Sequence, residues 1–460
     1  MRIDRLTLFN HLWAIAGFCE WTRWRWSETG WSWVLLVGAL ALALSPNSLV
    51  CLAVFAAAQA VFSACAANQP WNHGLFMALM NLAILASIAR CLVERRRTPG
   101  VATTALDPEV LVETFAPLLR LSLVLLYLFA FFHKLNADFL NPDVSCTGTL
   151  LGWLNRSYRI LPLERWAVVL GIWSTLFVES TVPLLLCFRR TAYVGLAIGA
   201  AFHLFLSQFG GLHGFAAMLF ALYFLFLPAA FTAGVADRFS ALLEDWPALR
   251  RVGLPVAAVG MIVVGWVLGQ FFGINLIYRG LVFWDLWFLG VVVVFAHELL
   301  RVWNVPAEFP LRPRWAPLWV IPIVVALNGM SPYVGLKTET SWAMYSNLRT
   351  EVHPNHLVVP ASAKLFGYQD DLVEILTTSL PTLQGFVGRD VRLTFFEFRR
   401  LCSAAPDDFT VSYRRNDADH TLAVVGGVAS DPAVRAHPWL AGKLLRFRPV
   451  DVGAHAQCRH

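Results

Sequence analysis

Long apolar runs separated by short polar loops fill most of the chain. They are Trp31–Leu44, Leu49–Ala67, Leu75–Val93, Thr114–Phe132, Ala167–Phe188, Ala192–Gln208, Phe215–Phe231, Val252–Phe272, Leu281–Leu300 and Pro317–Met330. Each is near the length an α-helix needs to cross roughly 30 Å of hydrocarbon. A further stretch, Leu6–Thr22, is interrupted by Asn10, His11 and Glu20, and reads as a first crossing or an interfacial helix. The pattern predicts about ten or eleven transmembrane helices.

The periodicity changes at about Val334. Short alternating segments follow, at Asn355–Val359, Leu372–Leu376, Val391–Phe396, Phe409–Tyr413 and Thr421–Val425, with turn residues between them. Alternation of this kind reads as strands. Glu397–Ser403 and Val434–Leu444 read as short helices. The expected fold is an all-α polytopic membrane domain, residues 1–333, followed by a small α+β domain, residues 334–460.

Composition supports the membrane reading: 57% of residues are hydrophobic and only 14% charged, well below a soluble chain. The 19 tryptophans suit interfacial belts. A net charge of +6 in such a chain points first to cytoplasmic loops, so nucleic acid is not an expected partner. One set of alternate loops carries most of the arginine, including Arg95–Arg97, Arg189, Arg190, Arg250, Arg251 and Arg301. Assigning that set to the cytoplasm sends the loops at 68–73, 135–166 and 209–214, and everything after the last span, outward. The polar start Met-Arg-Ile-Asp-Arg and the lack of a small-residue cleavage site predict no cleavable signal peptide.

The eight cysteines include no C-x-x-C pair, and no metal site is expected. Cys146, Cys402 and Cys458 lie in polar, outward stretches. Cys402 with Cys458 is the favoured disulfide, both being in the small domain. Cys146 with either is the alternative.

Ionisable residues at the outer ends of apolar runs are functional candidates, because charge at membrane depth is expensive. Lys134 ends a long apolar run, after His133. A desolvated lysine loses its charge more readily and can serve as a base near neutral pH. A snorkelling anchor accounts for the same position. His73 sits in Pro-Trp-Asn-His-Gly where an outward loop enters a helix. His203 precedes Ser207 and Gln208 on the outer half of its helix. Glu179 lies midway along a span, and its expected role is helix packing.

Four segments together resemble a known family: QPWNHGLFMALM, FFHKLNADFLNP, AFHLFLSQFGGLHGFAAMLFAL and TSWAMYSNLRTEVHPNHLVVP. They look like the membrane domain of vitamin K-dependent γ-glutamyl carboxylase, and more closely its bacterial relatives, the HTTM (horizontally transferred transmembrane) domain proteins. The resemblance covers the membrane region and the start of the outer domain. It implies a lysine base, matching Lys134, that deprotonates a reduced vitamin K or menaquinol-type hydroquinone. Oxygen then adds, the strong base so formed removes a γ-proton from glutamate, and the carbanion captures CO2. It also implies catalytic roles for His73 and His203. Two departures stand out. His133 occupies the place of a second lysine, and the outer domain is far smaller than the carboxylase's lumenal region, so a protein substrate is not expected.

The reading is therefore a multi-pass protein of the plasma membrane with an extracytoplasmic C-terminal domain, and a quinol-oxidising, carboxylase-like lyase if it is an enzyme. Its partners would be membrane lipids or a lipid-soluble quinol, with O2 and CO2 as co-substrates. The alternative is a non-enzymatic lipid-binding or assembly protein on the same scaffold.

Overall fold

The computed structural model describes residues 3–21, 32–66, 71–97, 107–158, 162–208, 212–245, 290–305, 310–359 and 363–459. Its helices are α1 (Arg5–Trp21), α2 (Ser32–Leu44), α3 (Leu49–Val61), α4 (Asn72–Arg97), α5 (Pro108–His133), α6 (Ala137–Leu140), α7 (Cys146–Tyr158), α8 (Arg165–Leu186), α9 (Ala192–Ser207), α10 (His213–Phe224) and α11 (Ala229–Asp245). They continue as α12 (290–301), α13 (Val320–Met330), α14 (Pro381–Gln384), α15 (Phe395–Ser403) and α16 (Trp439–Leu444). The chain divides into two compact units: Met1–Tyr127 with Val178–Val325, and Leu128–Phe177 with Ala326–His460.

Among the described residues, α4, α5 and α8 are each long and apolar enough to cross a membrane. The helices at Ser32–Leu44, Leu49–Ala64, Ala192–Ser207 and Ala316–Met330 are apolar but shorter. The expected span Val252–Phe272, and Leu281–Leu300 up to residue 289, lie outside the described residues.

The first unit is helical. Its central helix is α1, the weakest apolar run in the sequence, which packs against α2 and α10 and is buried on nearly every side. Polar side chains along it reach distant partners. Asn10 donates to the Pro46 carbonyl at 2.7 Å, and Trp13 Nε1 donates to Asn81 at 2.8 Å. Arg5 meets Glu109, and Glu113 at 2.7 Å.

The run expected as one span from Phe215 to Phe231 is not straight. α10 and α11 bend by 111° at the break between them. Pro228 has no N–H to continue a helical ladder, and residues 225–227 tighten into i→i−3 bonds. The carbonyl of Leu225 is taken by the fully buried Arg120, whose Nε donates at 2.9 Å. A buried guanidinium thus satisfies the main chain that the bend frees.

The second unit carries a sheet of six antiparallel strands. They are β1 (Leu372–Thr378), β2 (Val391–Thr394), β3 (Phe409–Arg415), β4 (Ala418–Val425), β5 (Val428–Ala429) and β6 (Val450–Asp451), in the order β5-β4-β3-β1-β2-β6. Period-two side chains send Val373, Ile375, Val411, Tyr413, Leu422 and Val424 into one core with Phe398 of α15. The β3–β4 turn holds Asn416 and Asp417 at φ 50° and 60°, and the β4–β5 turn holds Gly426 and Gly427 at 59° and 76°. Positive φ at both central residues matches the twist of the flanking strands. Thr394 caps α15 by accepting the Glu397 N–H at 3.2 Å.

Three local expectations are corrected. Asn355–Val359 is not a strand, because the His356 ring accepts the N–H groups of Val358 and Val359 at 3.1 and 3.0 Å. Only an isolated bridge to Asn136 remains. The helix expected over Val434–Leu444 begins at Trp439, after Pro438. The disulfide joins Cys146 to Cys458, Cα atoms 4.9 Å apart, while Cys402 is a free thiol packed in the sheet core. Burial pushes that thiol up to about 12.

Candidate functional site

The candidate residues fall in both units. His73 and His203 belong to the first and Lys134 to the second.

In the first unit the two histidines flank one aromatic ring. Phe215 of α10 lies 6.1 Å from the His73 ring and 5.3 Å from the His203 ring, centroid to centroid. His73 Nε2 lies 2.8 Å from Oε2 of Glu20, and both side chains are buried. Glu20 looks in sequence like a flaw in α1. Its position inside an apolar run was the signal that marks it as a candidate. The main chain beside His73 is held by a buried polar ladder. The Gly74 carbonyl accepts from Gln59 at 3.2 Å and Ser63 at 3.3 Å, and Asn81 donates to Gln59 at 2.8 Å.

His203 packs edge-on against Tyr127 at 5.7 Å, and the Tyr127 hydroxyl pairs with that of Tyr223. Gly199 makes room for this pair, since a Cβ there would meet the Tyr223 hydroxyl at 2.5 Å. On the same short segment, Ser207 donates to the Leu204 carbonyl at 2.6 Å and Gln208 donates to Ser207 at 3.3 Å. Tyr223 also lines an apolar cleft of about 320 Å³ with Leu196, Ala200, Leu204, Phe220 and Phe295. That size suits part of an extended apolar ligand. Glu179 is buried on α8.

In the second unit the HKLNAD segment leaves α5 and is clasped by residues 333–356. Lys134 is only 4% exposed. Its Nζ donates to the Ala130 carbonyl at 3.3 Å and lies 5.9 Å from the centre of the Phe139 ring. The neighbouring residues hold main chain. His133 bonds the Tyr333 hydroxyl at 2.8 Å and the Ser341 carbonyl at 3.0 Å. A carbonyl only accepts, so Nε2 carries the ring proton and Nδ1 accepts from the tyrosine. Asn136 caps α6 through Phe139 N–H at 2.8 Å and donates to the carbonyls of His133 and Ser346 at 2.8 and 2.6 Å. Asp138 accepts from Asn355 at 2.7 Å and the Ala456 N–H at 3.0 Å, and meets His455 at 2.8 Å. Burial would raise that carboxyl, but these donors hold it below the usual carboxylate range.

The clasping segment is strained. Thr340, Trp342, Tyr345, Asn347 and Val352 all have positive φ, from 36° to 67°. Each such residue costs about 1–3 kcal/mol, and clusters of them accompany functional sites. Long-range bonds hold it. Asn347 accepts the Cys146 N–H at 2.7 Å and donates to the carbonyls of Val144 and Ala456, both at 2.9 Å. Arg349 donates to the carbonyls of His353, Asp451, Gly453 and Ala454. This segment also buries a second amine that the sequence reading passed over. Lys337 donates to Thr340 Oγ1 at 3.2 Å, and burial lowers it to about 8.

No family model, curated protein or solved structure matches this chain. The site is therefore judged on its own geometry. Among the described residues no group of three or more His, Cys, Asp or Glu is placed to hold a metal ion.

Proposed function

We propose that the chain is a multi-pass protein of the plasma membrane that uses Lys134 as a general base on a lipid-soluble hydroquinone. It is of the HTTM and γ-carboxylase type that its motifs resemble. The observation that carries this reading is the burial of Lys134. A snorkelling anchor extends its ammonium into water or headgroups, whereas this amine is 4% exposed, at the end of an apolar helix and against an aromatic ring. The cleft beside Tyr223 supports an apolar ligand. O2 and CO2 are the co-substrates of this reading.

The disulfide supports an extracytoplasmic place for the stretches that hold Cys146 and Cys458, since such bonds persist in oxidising compartments. The arginine-rich loops at Arg95–Arg97 and Arg189–Arg190 support the same orientation from the other side. A non-enzymatic scaffold that binds lipid is favoured by one observation: His133, Asn136 and Asp138 are all committed to holding the fold.

Epoxidation of reduced vitamin K by the purified protein decides between the two. Lys134→Ala and Lys134→Arg should both abolish turnover while inserting normally, since a guanidinium stays charged and takes no proton. Undiminished turnover in the arginine variant would refute the base assignment.

A further inference from the structure

Two pairs of apolar residues in the second unit stand outside its core. Leu357 and Val358 are 60 and 64% exposed, and Leu365 and Phe366 are 79 and 42% exposed. Exposed apolar surface that is held in place marks an interaction site. Both pairs are held. His356 Nε2 donates to the Phe132 carbonyl at 2.9 Å, in the last turn of α5, and the Leu357 N–H donates to the Leu135 carbonyl at 3.0 Å. The second pair is fixed beyond the end of α13. The N–H groups of Leu365 and Phe366 both donate to the Val334 carbonyl, at 2.9 and 3.0 Å, and Gln369 donates to the Pro332 carbonyl at 2.9 Å. Gly335 permits this approach. Its φ is 80°, and a Cβ there would collide with the Phe366 carbonyl oxygen.

The level of these attachments decides the partner. α5 has 26 residues and is about 39 Å long, more than the roughly 30 Å of hydrocarbon it would cross. Its last turn therefore stands at the boundary between acyl chains and headgroups. The last turns of α13 expose Leu327 and Met330 in their turn. Every main-chain attachment of the two pairs lies within four positions of the end of α5 or α13. Lipid is the neighbour at that depth. Apolar side chains inserted there leave water, as on the apolar face of an interfacial helix.

We propose that Leu357, Val358, Leu365 and Phe366 form a membrane-surface anchor, two apolar fingers set into the leaflet where α5 and α13 end. Leu357 and Val358 follow directly on the clasp around Lys134, so the anchor holds that segment at the bilayer surface. The proposal rests on the multi-pass reading above, but not on Lys134 or on quinol chemistry.

The test is nitroxide labelling of the full-length protein in phosphatidylethanolamine–phosphatidylglycerol nanodiscs. The background is Cys187→Ser, because Cys187 is the exposed free thiol among the described residues, and the signal of that parent is subtracted. Labels are placed at Val358→Cys and Leu365→Cys. Leu170→Cys, exposed on α8, reports a span. Asp407→Cys reports water. It is exposed and precedes β3 at the end of the sheet where Thr378 pairs with Val411. Oxygen enters hydrocarbon, whereas a polar nickel chelate is kept out by the cost of burying its polar groups. The oxygen-to-nickel collision ratio at Val358 and Leu365 should exceed that at Asp407 at least about tenfold and approach that at Leu170. Ratios equal to that at Asp407 overturn the proposal. Labels sheltered from both reagents also overturn it, because protein rather than lipid then covers the pairs. If Leu170 alone is sheltered from nickel, the multi-pass reading stands and the anchor falls. If Leu170 also meets nickel freely, the multi-pass reading fails and the anchor with it. Should one cysteine variant not insert, the other position carries the test with the same outcomes.

Discussion

Removing the Asp138 carboxylate tests how the strained clasp is held. The carboxylate receives three contacts: Asn355 Nδ2, the Ala456 N–H and His455 Nδ1. They are not equal. Asn355 keeps the Asn347 carbonyl at 2.8 Å, and His455 is 51% exposed, so water replaces what it loses. The Ala456 N–H is buried and has nothing else to turn to. Asp138→Ala therefore loses two charge-assisted bonds inside the fold and strands one buried donor, a cost of about 2–4 kcal/mol. Asp138→Asn keeps one acceptor oxygen and should cost about half of that.

The Cys146–Cys458 bond closes a 312-residue separation and tethers the same C-terminal segment. The effect should therefore be larger in reduced protein, where the hydrogen bonds act alone. The assay is thermal unfolding of detergent-solubilised protein with and without reductant, together with proteolysis of the segment at 454–459. The pH dependence follows from the lowered carboxyl. A depressed folded value gives stability that is present above the unfolded value of about 3.9 and lost as pH falls through the folded one. Wild type and Asp138→Ala should differ at pH 7 and converge in acid. Reduced Asp138→Ala that unfolds within about 0.5 kcal/mol of wild type at pH 7 would refute the reasoning.

Two further predictions concern buried cations. Lys337 is lowered from 10.5 to about 8 by burial, so between those values only the unfolded chain holds the proton and stability should rise with pH, by up to about 1.4 kcal/mol per unit. Melting of wild type and Lys337→Met across pH 7 to 10.5 checks this, and equal slopes would refute it. Arg120→Met strands the Leu225 carbonyl at the α10–α11 bend and should cost about 2–4 kcal/mol in thermal unfolding, whereas an unchanged melting temperature would show that the bend does not depend on it.

The parts of this fold legible in the sequence are those set by neighbours in the chain. β1, β3 and β4 were placed by alternation, because a strand's two faces are written in adjacent residues. α15 was readable for the same reason. The errors share the opposite cause. Cys146 and Cys458 are paired by tertiary structure that no spacing encodes. The Phe215–Phe231 run is apolar throughout and scans as one span, while the residue that makes its bend affordable, Arg120, lies 105 positions from Leu225.

The candidate site divides in the same way. Lys134 and His73 stand out locally, as ionisable residues at the ends of apolar runs. The strained segment around Trp342 does not, because nothing local marks a non-glycine residue for positive φ. Its bonds to residues 144, 451 and 456 impose that backbone. α1 shows the cost of scoring polarity alone. Asn10 and Glu20 weaken its hydropathy, yet each is answered by a partner at Pro46 or His73. A polar residue inside an apolar run is thus not evidence against burial. It is a demand for a partner, and that partner identifies the elements packed against the helix.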